Sequence, residues 1–488
     1  MQFIKQIRDP VHGWIRLTKD EVELLDSLPV IQRLRYIKQL GMVYLVYPSA
    51  VYSRFDHSLG VMHLAYHIGK ELLPKVAVSE DLDYLLKHLR LAALLHDIGH
   101  YPFSHTFEGV IGELVSASKD LGCGNSVDIS LFEREKPHEV TGRLIVERIS
   151  SDLRERGYDP SLIKSILDKE YSSKDGEIVK ILSGIVSGTL DADRLDYIMR
   201  DLYFTGAAVG TSIGHIDLER MISNIDYVKG YGLVFDEKAR VHLEGYVITR
   251  YNIYRHVYLH HKTILFTEVA RSILRENIQK CREGSLKGVI CEYLCDLARF
   301  VSGDISEDLL WRTTDDFFVS VFINDTKFKD LLSRRKLGYI SLWKRDKDYL
   351  EIFKDDVKLI NRTIDEIYSS SEIEAQQIMK TVLIEELNRM LEKTGCKLAD
   401  GDLEIAHAAF DPKADDIYIA TQEGPIRLEQ LSPLVQAVKE AWDRSPHFFA
   451  YLREEAARSC GNRVVAYIKR ILPAVLPYVA KVSLIAPE

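Results

Sequence analysis

Several absences narrow the field before any motif is read. Cysteine is scarce, at six in 488 residues with no CxxC spacing, which excludes a paired-cysteine zinc or redox motif. So few cysteines in a long chain suit a reducing cytoplasm. No metal or disulfide is expected between Cys291 and Cys295, which lie four apart on one predicted helix face. No apolar stretch is long enough to span a bilayer. The start, MQFIKQIRDPVHG, has no apolar h-region and is not expected to be a signal peptide. A basic excess is missing too: the net charge is −9 and the pI near 6.0. That balance gives no general attraction to nucleic acid or to an anionic membrane, so an anionic ligand needs a local basic pocket. Repeats and low-complexity segments are absent.

What is present is ordinary globular material, 46% hydrophobic and 28% charged, enough for a large core. Residues 1–18 read as two short strands around the turn DPVHG, where Pro10 and Gly13 supply the turn chemistry. From Glu21 to Arg220 the pattern is mostly helical. GCGNSVD, from Gly122 to Asp128, is a Gly-rich loop, and DYVKGYGLVFD reads as a hairpin. One long helix is expected through GYVITRYNIYRHVYLHHKTILFTEVARSIL. SRRKLGYISLWKRDKDYLEIFKDD reads as a linker with short helices, and DDIYIATQEGPIRLEQLSP as two short strands before a helix. The expected fold is mainly α, with residues 1–304 forming one domain and 305–488 a smaller α+β lobe.

The chemistry concentrates in LAALLHDIGHYPFSH, where His96, Asp97, His100 and His105 follow an apolar helix. Gly99 suits a position just past a helix end. An imidazole and a carboxylate there form a mixed N/O ligand pair for a divalent metal, and further ligands must come from elsewhere. Two segments offer them. YSRFDHSLGV carries Arg54, Asp56 and His57. In SGTLDADRLDYIMRD, residues Asp193, Asp196, Tyr197, Arg200 and Asp201 recur at helical spacing as one polar stripe. Alone, such a stripe is more often a solvated charged face, and a helix-terminal histidine more often serves the last carbonyls. The co-occurrence of RFDHS, HDIGHYPFSH, KPHEVTG and DADRLDYIMRD, in that order, favours a site.

Those motifs resemble the HD-domain phosphohydrolases, and most closely the deoxynucleoside triphosphate triphosphohydrolases. IRDPVHGWI, IQRLRYIKQLGMVYLVYPSAVYSRFDHSLGV and HDIGHYPFSHTFE carry the likeness, which is strong from Ile4 to about Leu274. It continues more weakly through RTTDDFFVSVF and GPIRLEQLS. Some members add a sterile-alpha-motif domain; none is expected here, because the core motif begins almost at Met1. The resemblance implies an HD-domain helical core and a metal held by His57, His96, Asp97 and Asp193. Mn, Fe, Ni, Co or Zn would suit those ligands, with Mg accompanying the nucleotide.

The same resemblance implies hydrolysis of a dNTP to a deoxynucleoside and inorganic triphosphate. His105 would be the general acid, with Glu108 as its orienting carboxylate where relatives usually carry Asp. His100 and His138 would contact phosphate oxygens. Arg54, Arg194 and Arg250 match phosphate-binding cations, with Arg194 standing where lysine is common. Tyr197 and Asp201 match residues at the phosphate and the sugar 3′-hydroxyl, Gln39 contacts the same hydroxyl region, and Tyr258 lies against sugar or base. Lys5, Asp26, Gln32 and Arg35 are candidate allosteric positions for an activating nucleotide. Asp26 and Gln32 stand one residue further apart than in the guanine-reading relatives, and Arg8 replaces a usual Asn. A homodimer or homotetramer in the cytoplasm is expected, without a membrane and without nucleic acid as main ligand. Two other readings compete: an HD phosphohydrolase for nucleoside monophosphates or phosphodiesters, and a non-catalytic nucleotide-sensing oligomer.

Overall fold

The computed structural model describes residues 1–77, 81–123, 132, 135–168, 176–206, 216–334, 337–370, 372–399, 401–408 and 416–483. Most of the Gly-rich stretch Gly122–Asp128 lies outside them. The fold is mainly α, with short strands. The chain forms two compact units: Met1–Ile253, Arg271–Asp325 and Lys413–Val435 make the first; Tyr254–Ala270, Thr326–Pro412 and Gln436–Glu488 make the second. The chain therefore interleaves, where the sequence suggested one cut near Ile305. Residues 305–325 belong with the first unit, and 254–270 with the second.

In the first unit, β1 (Phe3–Asp9) pairs antiparallel with β2 (Gly13–Thr18), with Asp9 opposite Gly13. The turn between them is organised by Asp9, whose Oδ1 accepts the N–H groups of Val11 and His12 at 2.8 Å each. Gly13 closes it at φ +75°, a conformation that costs glycine little. The helix α1 (Arg54–Val76) starts from a capping box in which Ser53 and Asp56 satisfy each other's N–H groups. Helix α2 (Leu82–Leu95) is capped by Asp81 and packs on α1, where Gly69 leaves room for Leu89. After α2 come α3 (Glu108–Ala117), α4 (Pro137–Arg148) and α5 (Ala192–Thr205). Pro137 opens α4, where its missing N–H costs no bond. The expected hairpin forms as β3 (Ile225–Val228) and β4 (Gly232–Phe235). The two predicted late strands, β7 (Tyr418–Thr421) and β8 (Gly424–Arg427), extend this sheet through a parallel β4–β7 pairing. Such a long-range pairing leaves no mark in local patterning.

The expected long helix is interrupted. Helix α6 (Arg240–Ile253) ends in a π-helical turn at Tyr254–Tyr258, and α7 (His261–Arg282) resumes after it. Tyr254 and Tyr258 meet edge-to-face across that turn at 4.7 Å, a ring contact invisible to helical periodicity. In the second unit, β5 (Tyr339–Ser341), β9 (Phe448–Arg453) and β6 (Leu403–His407) form an antiparallel sheet with β9 central. The stretch read as a linker thus contributes a strand. Trp343, Tyr349, Phe353 and Phe448 pack beside it, and Trp343 donates its indole N–H to the Phe448 carbonyl at 2.9 Å.

The chain has six cysteines. All six pair, as Cys123–Cys295, Cys281–Cys291 and Cys396–Cys460, with Cα separations of 5.0, 5.7 and 5.8 Å. Cys291 and Cys295 do share a helix, Val289–Val301, but each bonds to a different distant residue. Among the described residues no helix is long and apolar enough to cross a membrane.

One titration follows from the packing of α1. The His63 ring lies 4.4 Å from His67 and 5.3 Å from His12. Burial, then the neighbouring His67, His12 and Arg90, lower its imidazole to about 3, with Asp196 the opposing charge. The unfolded chain therefore binds more protons than the folded one between that value and about 6.5. Stability contributed by His63 is present above that window and lost as pH falls through it. His63→Leu is expected to flatten the decline in melting temperature between pH 6.5 and 4, measured against the wild type in one buffer series.

Candidate metal centre and active site

Four side chains from three places in the chain converge. His57 projects from the first turns of α1, His96 and Asp97 follow the end of α2, and Asp193 lies at the start of α5. His57 Nε2 stands 3.0 Å from Asp193 Oδ1 and 3.5 Å from Asp97 Oδ2. His96 Nε2 stands 3.4 Å from Asp97 Oδ2 and 3.7 Å from Asp193 Oδ1. His57, His96 and Asp97 meet the spacing of a metal-holding group.

The other ring nitrogens are already committed. His57 Nδ1 donates to Asp196 Oδ2 at 2.7 Å, and His96 Nδ1 donates to the Ala93 carbonyl at 2.8 Å. Both Nε2 atoms thereby face the carboxylates, the arrangement that metal-binding histidines adopt. His96 Nε2 is buried and makes no hydrogen bond, leaving a donor atom suited to a cation. Burial alone would lower the His57 imidazole, but Asp193 and Asp196 raise it to about 10. Burial likewise opposes the charge on Asp97, yet Arg54, His96 and His100 hold its carboxyl well below the usual range. Two imidazoles and two ionised carboxylates fit a divalent transition metal.

The polar stripe of α5 is not a solvated face. Asp196, Arg200 and Asp201 are fully buried. Arg200 grips Asp196 with Nε at 2.9 Å and Nη2 at 2.8 Å, and reaches Asp9 with Nη1 at 2.8 Å. Asp201 accepts the Tyr52 hydroxyl at 2.5 Å. Asp196, which sequence reasoning left without a role, thus orients the ring of His57, a candidate ligand. Its place three residues after Asp193 on one helix face was the available signal. Gly60 makes this approach feasible: a Cβ there would fall inside the Asp196 carboxylate and against Arg200 Nη2. Gly60→Ala is expected to cost about 1–3 kcal/mol through overpacking and to lower bound metal, read by denaturant unfolding and elemental analysis.

A second group borders the first. Glu108, the first residue of α3, is shared by two histidines: Oε2 accepts His105 Nδ1 at 2.5 Å, and Oε1 pairs with His138 Nδ1. Burial resists the charge on Glu108, but His138 and His105 hold its carboxyl well below the usual range. The longer acid therefore serves both histidines. His100 stacks on His138 at 4.0 Å, and its Nε2 lies 3.4 Å from Asp97 Oδ1. His100 is held neutral by burial, then by Arg54 and His138. His138 sits near the start of α4, as a proline-led helix would place it. Gly99 lets α4 approach, since a Cβ there would strike the His138 carbonyl and the Gly142 N–H.

Arg54 joins the two groups. It pairs with Asp97 through Nη1 and donates from Nε to Ser104 Oγ at 2.8 Å, while Nη2 is buried without a partner. The backbone between His100 and His105 is strained, with Phe103 at φ +56° and Ser104 at φ +55°. It is held by the Phe103 N–H to Asp315 Oδ1 at 2.7 Å and by the Ser104 hydroxyl to the Lys38 carbonyl at 2.6 Å.

The remaining expected residues behave differently from one another. Gln39 Oε1 is buried without a hydrogen bond. Arg250 is buried on α6, and Tyr197 is half-buried on α5. Arg194 is tied back to Asp191 and the Gly188 carbonyl. Tyr258 belongs to the second unit. Gln32 and Arg35 bond to each other at 2.7 Å. Lys5 and Asp26 are exposed.

Residues 54–198 match the HD domain family, and this span contains all four converging side chains. The chain contains an HD domain and resembles the HD-domain phosphohydrolases. It is 29% identical over 478 residues to the uncharacterized protein MJ1154 of Methanocaldococcus jannaschii, covering 96% of this chain and 84% of that one. It is 30% identical over 368 residues to the human deoxynucleoside triphosphate triphosphohydrolase SAMHD1, covering 70% of this chain and 54% of that enzyme. The chain spans about half the length of several curated relatives it matches. A similar fold occurs in a hypothetical protein of Aquifex aeolicus, at a TM-score of 0.61 and 23% identity over 95% of this chain and 99% of that one.

Proposed function

We propose that this HD-domain protein hydrolyses deoxynucleoside triphosphates to a deoxynucleoside and inorganic triphosphate. The observation that carries the reading is the histidine–carboxylate ligand set beside the Glu108-bridged histidines, with Arg54 touching the ligand Asp97. The likeness to relatives named as deoxynucleoside triphosphate triphosphohydrolases supports the choice of substrate. His57, His96, Asp97 and Asp193 would hold a divalent metal, which when bound lowers the pKa of a water to make a nucleophile for the α-phosphorus. His105 delivers a proton to the leaving 5′-oxygen, and Glu108 fixes the tautomer that does so. Arg54, Arg250, His100 and His138 offset the charge that builds on the phosphate oxygens. Gln39, Tyr197 and Asp201 hold the nucleoside, and Arg194 must leave Asp191 to reach a phosphate.

The test is product analysis. Purified protein is given each dNTP, alone and in mixtures, across Mn, Fe, Co, Ni, Zn and Mg, and the products are separated. Intact triphosphate and deoxynucleoside are expected. Only orthophosphate or pyrophosphate, from every nucleotide, would overturn the reading. A response confined to mixtures would reveal an activating nucleotide. The engagement of Arg194 with Asp191 favours a second reading, an HD phosphohydrolase for nucleoside monophosphates or phosphodiesters, because it removes one cation from the triphosphate cradle. Turnover of a monophosphate that Arg250→Ala leaves untouched would support it.

A further inference from the structure

The DPVHG turn was read from the sequence as a turn alone, yet its histidine is buried beneath the ligand set. His12, with a side chain 3% exposed, places Nε2 2.6 Å from Asp196 Oδ1. Asp196 is completely buried, and its Oδ2 takes the Nδ1–H of the metal ligand His57 at 2.7 Å. Each carboxylate oxygen therefore serves one histidine and one nitrogen of Arg200. The turn itself is locked to the same group, because Asp9 Oδ1 holds the backbone of His12 while Asp9 Oδ2 takes Arg200 Nη1.

We infer that His12 is a positioning residue of the metal centre, acting through Asp196 to fix the ring of His57 so that Nε2 faces the metal. The physical argument is one of donors. A buried carboxylate that loses one of its charge-assisted bonds turns or shifts to recover it. Asp196 cannot turn without releasing His57 Nδ1, because its second oxygen is the one that orients the ring. The β1–β2 hairpin, remote in sequence from every ligand, thus becomes part of the centre. Arg200 and Gly60 hold Asp196 from the other sides, so the effect of His12 falls on geometry more than on the fold.

This inference rests on the metal reading of His57, His96, Asp97 and Asp193, and its test separates the two. The full-length wild type, His12→Phe and His12→Gln are stripped of metal and titrated with Co²⁺, following the visible d–d bands. His12→Phe keeps a ring but loses the bond to Asp196, and is expected to weaken Co²⁺ binding about tenfold, as loss of an outer-shell partner typically does, and to move the bands. His12→Gln restores an N–H at similar reach and is expected to recover both affinity and spectrum. Metal-free melting curves check that the variants fold; should phenylalanine not be tolerated, His12→Leu carries the same comparison. Wild-type binding and spectrum in His12→Phe would overturn the role of His12, as would His12→Gln behaving like His12→Phe. A wild type that takes up no Co²⁺ would overturn the metal reading, and this inference with it.

Discussion

Exchanging His96 and Asp97 together for alanine is expected to remove bound metal and to lower phosphohydrolase turnover by about 10³-fold or more, because generating a nucleophile from water at neutral pH depends on the metal. The two residues supply one imidazole and one carboxylate to the convergence around His57 and Asp193. Their loss has a second effect through Arg54, which pairs with Asp97 and is fully buried. A buried guanidinium deprived of its carboxylate is costly, so the melting temperature of the double variant should fall as well. Elemental analysis, turnover and a melting curve on the same preparation distinguish the outcomes. Full turnover in a metal-free, folded double variant would place the chemistry elsewhere.

The candidate ligands could be picked out because each is tied to a local pattern: a helix end before Gly99, a capped helix start at Arg54, and a stripe on α5. What supports them could not. Asp196 lies in plain view on that stripe, but its role depends on His12 and His57, at 184 and 139 residues' separation. Glu108 was expected to meet His105 three residues away, and does; its bond to His138, 30 residues on, required the fold. Local spacing predicts neighbours along a helix and is silent about contacts made by packing. The cysteines illustrate the same limit. Cys291 and Cys295 share one helix face and were not expected to pair, but nothing local showed that Cys295 bonds 172 residues back to Cys123. The β4–β7 pairing within the first unit again joins segments with no local relation.

Glu108→Gln is the second large effect, and it isolates the proton donor. Half of the His105 side chain is open, yet the surrounding protein lowers its imidazole and Glu108 works against that lowering. Replacing the carboxylate by an amide removes the opposing charge, so the imidazole falls further. A general acid must be protonated to act, so the alkaline limb of the pH–rate profile should move to lower pH. Turnover at neutral pH should drop by about 10²–10⁴-fold, the range associated with a positioned acid. His138 loses the same partner, and its stacking on His100 then has nothing to fix the ring plane. Metal content should stay at the wild-type level, because Glu108 touches none of His57, His96, Asp97 and Asp193 among the contacts described. That combination, intact metal with lost turnover and a displaced alkaline limb, is what a proton-transfer role demands. A variant that loses metal along with activity would instead make Glu108 a support of the centre. An unmoved pH profile would take the proton from a donor other than His105.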